Sequence, residues 1–153
     1  MKQLELSVPP VIQVILTALG MWAVSYLLPE FDVYLKVAIP IGGALFLIGI
    51  TIAFLGVLAF RKANTTVDPR FPDKSSRLVV TGVYRISRNP MYLGFLFMLS
   101  GFAFYLMNFA AFLLLPLFVA YMNRFQIKLE EQYMLQKFEE EFNEYAEKVR
   151  RWL

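Results

Sequence analysis

Apolar positions along this chain do not alternate with polar ones. They fall into four long runs, with one strongly polar stretch between the second and third and another after the fourth. The first run covers about residues 9–28 and carries no charge. About 20 residues at about 1.5 Å each reach about 30 Å, one hydrocarbon thickness. Pro9 and Pro10 suit a helix start, where a missing N–H costs little, and Pro29-Glu30 ends the run. The second run covers about 37–60. Gly42, Gly49 and Gly56 recur every seven residues, with Ala53 between the last two. Such a stripe lets helix backbones approach closely in lipid, and its expected partner is the first span. The third run covers about 90–107, with Gly94 and Gly101 on one face; Asn108 marks a tight turn. The fourth covers about 109–122, with Pro116 as a candidate kink. Both are short for a full crossing and predict a hairpin, tilted or sunk toward one side of the bilayer.

The polar stretches give the orientation. Residues 61–89 hold Arg61, Lys62, Arg70, Lys74, Arg77, Arg85 and Arg88 against Asp68 and Asp73. The positive-inside rule places them in the cytoplasm. Asn64 and Asp68 read as turn residues of that loop. Four crossings then put both termini in the cytoplasm. Residues 124–153 predict one amphipathic helix, with Ile127, Met134, Phe138, Phe142, Tyr145, Val149 and Trp152 on a single stripe. It is expected to lie on the membrane or on the protein's own cytoplasmic face. Glu131 falls on that apolar stripe, where a carboxylate needs a partner or a ligand. Arg150 and Arg151 read as topology charges or carboxyl-terminal caps.

Composition narrows the chemistry. The 153 residues are 58% hydrophobic, against about 45–50% in soluble domains. The mean hydropathy is +0.54. Cysteine and histidine are both absent. Disulfides, thiolate or imidazole metal sites, a cysteine nucleophile and an imidazole base are therefore excluded. The net charge of +3 is small and has no nucleic-acid motif beside it. No cleavable signal peptide is read, because the first apolar run is too long for a signal core. The glycine faces suit a dimer as readily as internal packing, so the oligomeric state stays open.

Two stretches combine into a motif. One is Gly82-Val83-Tyr84 followed by Arg88-Asn89-Pro90-Met91-Tyr92-Leu93-Gly94, where a basic stretch runs into the third apolar helix. The other is Glu130-Glu131, followed by an aromatic-rich tail from Phe138 to Tyr145. In this order and spacing they resemble the isoprenylcysteine carboxyl methyltransferase family, bacterial branch, which is related to membrane phospholipid methyltransferases. The resemblance covers roughly residues 60–153 and includes Asn64-Thr65-Thr66-Val67-Asp68-Pro69 upstream. The first two spans match only as hydrophobic helices.

The resemblance implies an S-adenosylmethionine-dependent methyltransferase of the membrane, with S-adenosylhomocysteine as product and a cofactor pocket on the cytoplasmic side. Carried over position by position, the cofactor contacts fall on Arg77, Leu78, Val79, Tyr84, Asn89, Pro90, Met91, Tyr92 and Glu130, with Arg88 beside them. Periodicity favours Glu131 as the buried carboxylate, while the family pattern favours Glu130; Glu131 is then expected on the substrate side or behind the cofactor contacts. Eukaryotic members place a substrate-carboxylate arginine four residues before the first Glu. Here that position is Gln126, and Arg124 is the substitute one face away. The candidate catalytic residues are thus Glu131 and Arg124. Glu139 stands where glycine is common, a change expected to be harmless on a solvated face.

These residue types suit the implied cofactor. Arginine forks onto a carboxylate, and a glutamate takes an ammonium or a ribose diol. Tyrosine faces pack adenine and favour nearby positive charge. A helix starting at Pro90 points free N–H groups at an anion. A carboxylate acceptor is already ionised and needs no base, which fits a chain without histidine. An amine acceptor needs Glu130, Glu131 or a tyrosine to take its proton.

The expected molecule is a single-domain, all-α integral membrane protein with four transmembrane helices, a cytoplasmic loop and a carboxyl-terminal amphipathic helix. Residues 1–60 form a two-helix hairpin; residues 61–153 carry the cofactor loop, the helical hairpin and the last helix. Its setting is a bacterial-type inner membrane. Its partners are the bilayer and a lipophilic substrate, with a prenylcysteine-like carboxylate ahead of a phospholipid or lipid amine, and no nucleic acid. A non-catalytic membrane scaffold is the alternative of another class.

Overall fold

Lipid offers backbone groups no hydrogen-bond partners, so a chain with these apolar runs satisfies its backbone internally, as helix. The computed structural model describes residues 8–28, 35–63 and 77–153, and those residues contain no strand. Helix α1 spans Pro10–Leu27 and α2 spans Leu35–Lys62. A 3-10 turn at Gly82–Arg85 leads into α3, Pro90–Leu106. Then come α4 (Phe109–Phe112), α5 (Leu114–Met122), a π-helical turn (Asn123–Ile127) and α6 (Lys128–Lys148). The protein is an all-α integral membrane protein. Three helical stretches are long and apolar enough to cross a bilayer: Pro10–Leu27, Val37–Lys62 and Phe109–Lys148. The last is apolar only in its first part, so α6 and its charges lie beyond the spanning segment. Helix α3 is a shorter apolar helix. Asn64, Asp68 and the rest of 64–76 in the polar loop fall outside the described residues.

The glycine stripe of α2 packs against α3, which corrects the expectation that it faces α1. A Cβ added at Gly42 would stand 2.8 Å from the Gly101 carbonyl oxygen, and one at Gly49 2.5 Å from that of Gly94. The reason is reciprocity. Gly94 and Gly101 on α3 form a second small-residue stripe, and two such stripes let backbones meet. Helix α1 has bulkier side chains and lies instead against α3, α4 and α5. Met21 of α1 is fully buried there with Leu99, Ala103, Ala111, Phe118 and Met122. Val11, Ile15, Leu19, Trp22, Leu47 and Phe54 stay exposed, as lipid-facing side chains should.

The tight turn falls where it was expected. Met107 closes α3 in the left-handed region (φ 48°), and Asn108 Oδ1 accepts the Ala110 N–H to cap α4. Asn108 Nδ2 donates to the Leu28 carbonyl at 3.0 Å, which ties the end of α1 to the turn. Pro116 has no N–H for the Phe112 carbonyl, and the helix is interrupted at Leu113 between α4 and α5.

The last segment differs from one helix over 124–153. It opens with the π-helical turn, and α6 ends at Lys148, beyond which Val149 is extended. Phe142 and Tyr145 are buried as the stripe predicted. Glu139 has φ 40° and ψ −111°, non-helical values inside α6. Its substitution for a glycine is therefore not neutral for the backbone, because this region favours glycine.

Candidate active site

Helix α3 begins at Pro90, whose missing N–H is no loss at a first helical position. Within the first turn Tyr92 is buried, and its hydroxyl donates to Glu130 Oε1 at 2.6 Å. Gln126 Nε2 donates to the same oxygen at 2.8 Å. The π-helical turn supplies Gln126, one helical turn before Glu130 on α6. Such turns are rare and recur at functional sites. The two motif stretches, 38 residues apart in sequence, thus meet in one polar cluster. Burial pushes the Glu130 carboxyl up to about 7, partly offset by the hydrogen bonds from Tyr92 and Gln126.

Beside it lies a second cluster built on Glu131. Arg88 Nη2 donates to Glu131 Oε1 at 2.8 Å. Arg151 closes on the same carboxylate with both arms of its fork, Nε to Oε1 at 3.1 Å and Nη2 to Oε2 at 2.5 Å. Burial alone would raise this carboxyl, but the hydrogen bonds from Arg151 and Arg88 outweigh it and hold Glu131 below the usual range. Glu131 is the paired carboxylate that its place on the apolar stripe demanded.

The chain beyond α6 folds back over the start of α3. Arg88 Nη1 donates to the carbonyls of Ala146 (2.8 Å) and Val149 (3.0 Å), and the Arg88 N–H donates to Arg150 O. Asn89 Nδ2 donates to Arg151 O at 3.0 Å, and Ser87 Oγ donates to the same carbonyl. Trp152 Nε1 donates to Asn123 Oδ1 at 3.0 Å. Tyr145 holds the preceding turn, its hydroxyl donating to Tyr84 O at 2.7 Å. Burial raises the Tyr84 phenol far above its ordinary value, and Tyr145 and Glu130 nearby add to the shift.

The expected site residues divide into groups. Tyr92, Glu130, Arg88, Asn89 and Pro90 surround the start of α3. Tyr84 is buried below them, edge-to-face with Phe60 at 5.4 Å between centroids. Val79 is buried and Leu78 half-buried, while Arg77 is exposed. Met91 lies against Gly56, where an added Cβ would be 2.7 Å from Met91 Cγ. Arg124 is exposed, its guanidinium 5.8 Å from the Phe125 ring centroid, and it is not one of the two arginines on Glu131. Arg151 and Gln126 were not expected in the site. Gln126 had a signal in its spacing of four from Glu130; Arg151 had none.

The donor set suits a zwitterionic, aromatic small molecule such as S-adenosylmethionine. Both hydrogen bonds to Glu130 arrive at Oε1. Arg88 Nε is buried without a partner, although both terminal nitrogens of its fork are engaged. An orphaned guanidinium N–H next to a helix N-terminus fits a carboxylate. A buried carboxylate fits an ammonium or a diol.

The sequence profile of the phospholipid methyltransferase family matches residues 37–141, more than half of the chain. An uncharacterised protein of Haemophilus influenzae is 43% identical over 63 residues, which is its whole length and 41% of this chain. No solved structure matches.

Proposed function

The chain belongs to the phospholipid methyltransferase family, and from that footing we propose that it moves a methyl group from S-adenosylmethionine to a lipophilic acceptor arriving from the bilayer. Membership makes it an integral membrane methyltransferase acting on lipid. The observation that carries the proposal is the Tyr92–Glu130 hydrogen bond at 2.6 Å. It draws the two motif stretches into one polar cluster at the end of apolar helices, where a water-soluble donor and a lipid acceptor can both reach. The basic residues of 61–89 support a cytoplasmic setting for that cluster and for both termini.

When bound, S-adenosylmethionine supplies an electrophilic methyl group. Glu130 would hold its ammonium or ribose hydroxyls, and Arg88 Nε with the first N–H groups of α3 would hold its carboxylate. Tyr84 and Tyr92 would furnish aromatic surface, and Asn89, Pro90, Leu78 and Val79 the walls. Arg77, exposed, would sit at the rim with Arg124 on the acceptor side. The residues work by alignment and by excluding water from the nucleophile.

The acceptor follows from which groups are spent. Glu131 is held ionised between two arginines and is a poor base, so it serves to orient them. With Glu130 engaged on the cofactor, the acceptor must arrive ready to react. A prenylcysteine-like carboxylate does so. A second reading has its own support: Gln126, not arginine, stands where a substrate carboxylate would be met, and it is committed to Glu130. In that reading Glu130, with its pKa near neutrality, takes the proton of a phospholipid or lipid amine.

Titration calorimetry with S-adenosylhomocysteine tests the methyl-transfer reading. Saturable binding, lost in Glu130→Ala and Tyr92→Ala, is expected. A folded detergent preparation that does not bind is a scaffold. Radiolabelled transfer to N-acetyl farnesylcysteine or to phosphatidylethanolamine then separates the acceptors. A base-labile product is an ester, and a base-stable one is a methylated amine.

A further inference from the structure

Arg151 is one of the last three residues of the chain, in a position that reads as a topology charge, yet it makes the closest ion pair among the described residues. Its fork takes both oxygens of Glu131, and its own carbonyl accepts from Asn89 and Ser87. Residues 149–152 are thereby latched at four places: on Glu131, on Arg88, on the 87–89 turn, and through Trp152 on Asn123 of the π-helical turn. Arg88 is oriented by this latch together with α6. Ala146 O and Val149 O fix Nη1, and the Glu131 oxygen that Arg151 also grips fixes Nη2. What remains unpartnered is Nε.

We propose that Arg151 is a positioning residue for the cofactor pocket: it docks the end of the chain across the start of α3 and so aims Arg88 Nε at the cofactor's carboxylate. This rests on the methyl-transfer reading. The two positive charges on one carboxylate leave the cluster with a surplus of one, the sign an anionic group requires. Lysine cannot replace the fork. It has the charge without the two parallel N–H groups that meet Oε1 and Oε2.

The test uses the full chain in detergent with Trp22→Phe, which leaves Trp152 as the single tryptophan. Acrylamide quenching of Trp152 reads the docking of the tail with no ligand needed. Calorimetry with S-adenosylhomocysteine reads the pocket. Arg151→Gln is expected to raise quenching and to weaken binding by about tenfold or more, as displaced positioning groups do. Arg151→Lys is expected to fall between, and Arg150→Gln, whose side chain is exposed, to match the parent. If Arg151→Gln does not fold, Glu131→Gln reads the same latch from its other side, with the same two changes expected. Loosened quenching with parental affinity overturns the proposal and spares the methyl-transfer reading. So does weakened binding with the tail still docked. A folded parent that does not bind S-adenosylhomocysteine overturns both.

Discussion

Replacing Gly49 by alanine should separate two helices and disturb the site at their end. The added Cβ would lie 2.5 Å from the Gly94 carbonyl oxygen and 2.8 Å from both Met98 N and Met98 Cγ. Ordinary contact begins near 3.4 Å, so the backbones must part by about 0.9 Å, the gap between 2.5 and 3.4 Å. The obstacles include backbone, which no rotamer change can relieve. Overpacking of this kind costs about 1–3 kcal/mol, against a helix-propensity gain of up to about 1 kcal/mol. Gly43 is the internal control, because a Cβ there meets nothing within 4 Å. Gly43→Ala keeps the propensity gain alone. The two variants should therefore differ by about 1–3 kcal/mol in thermal unfolding in detergent. The displacement also reaches the site. Gly94 is two residues from Tyr92, and a shift of about 0.9 Å can stretch the 2.6 Å bond to Glu130 to about 3.5 Å, the limit of a hydrogen bond. Gly49→Ala should accordingly weaken S-adenosylhomocysteine binding, and Gly43→Ala should not. Equal melting temperatures for the two alanine variants would refute the interlocked-backbone account.

Tyr92→Phe leaves Glu130 Oε1 with Gln126 alone, and the lost hydrogen bond to a buried carboxyl should cost about 1.5–3 kcal/mol of stability by thermal unfolding; an unchanged melting temperature would dismiss Tyr92 as a mere wall. Because burial lifts Glu130 from 4.5 to about 7, the folded protein retains a proton that the unfolded chain has lost. Stability should therefore fall as pH rises from about 4.5 to about 7 and level off above. Affinity for S-adenosylhomocysteine should rise through the same range as the carboxylate ionises, and Glu130→Gln should flatten both curves. Glu131 behaves oppositely: its stabilisation is complete above about 4.5 and lost as pH falls through its lowered pKa. Trp152 quenching should therefore rise in acid, and a flat acid profile would contradict the latch. Glu139→Gly removes a side chain from a left-handed position and should stabilise the fold by about 1 kcal/mol, measured by thermal unfolding.

The helices were legible because a bilayer forces long apolar runs into one conformation. The turn at Asn108 was legible from chemistry, since a capping amide follows a run that must end. The glycine stripe of α2 announced close approach but not the partner. A small-residue face states what a helix can accept, and only the matching face on α3 decides which helix comes. Tyr92 and Glu130 could be paired only through a motif, since 38 residues separate them. Glu131 was readable as needing a partner from its misplaced charge on an apolar stripe. Its partner Arg151 was not, because an arginine beyond the last helix looks the same whether it faces water or closes a latch. Glu139 was misread for a related reason: exposure says nothing about backbone angles.

Helix α3 has 17 residues, a length of about 25 Å, which is about 5 Å less than a typical hydrocarbon layer. A short span makes the surrounding leaflet dip to meet it. On the proposed methyl-transfer reading, that dip brings the head-group region down toward Tyr92, where a lipid acceptor would meet the donor without being lifted out of the acyl chains. Turnover should then respond to acyl-chain length as directly as to acceptor concentration. Thin bilayers present the reacting lipid at no cost, and each added pair of methylenes makes its approach more expensive.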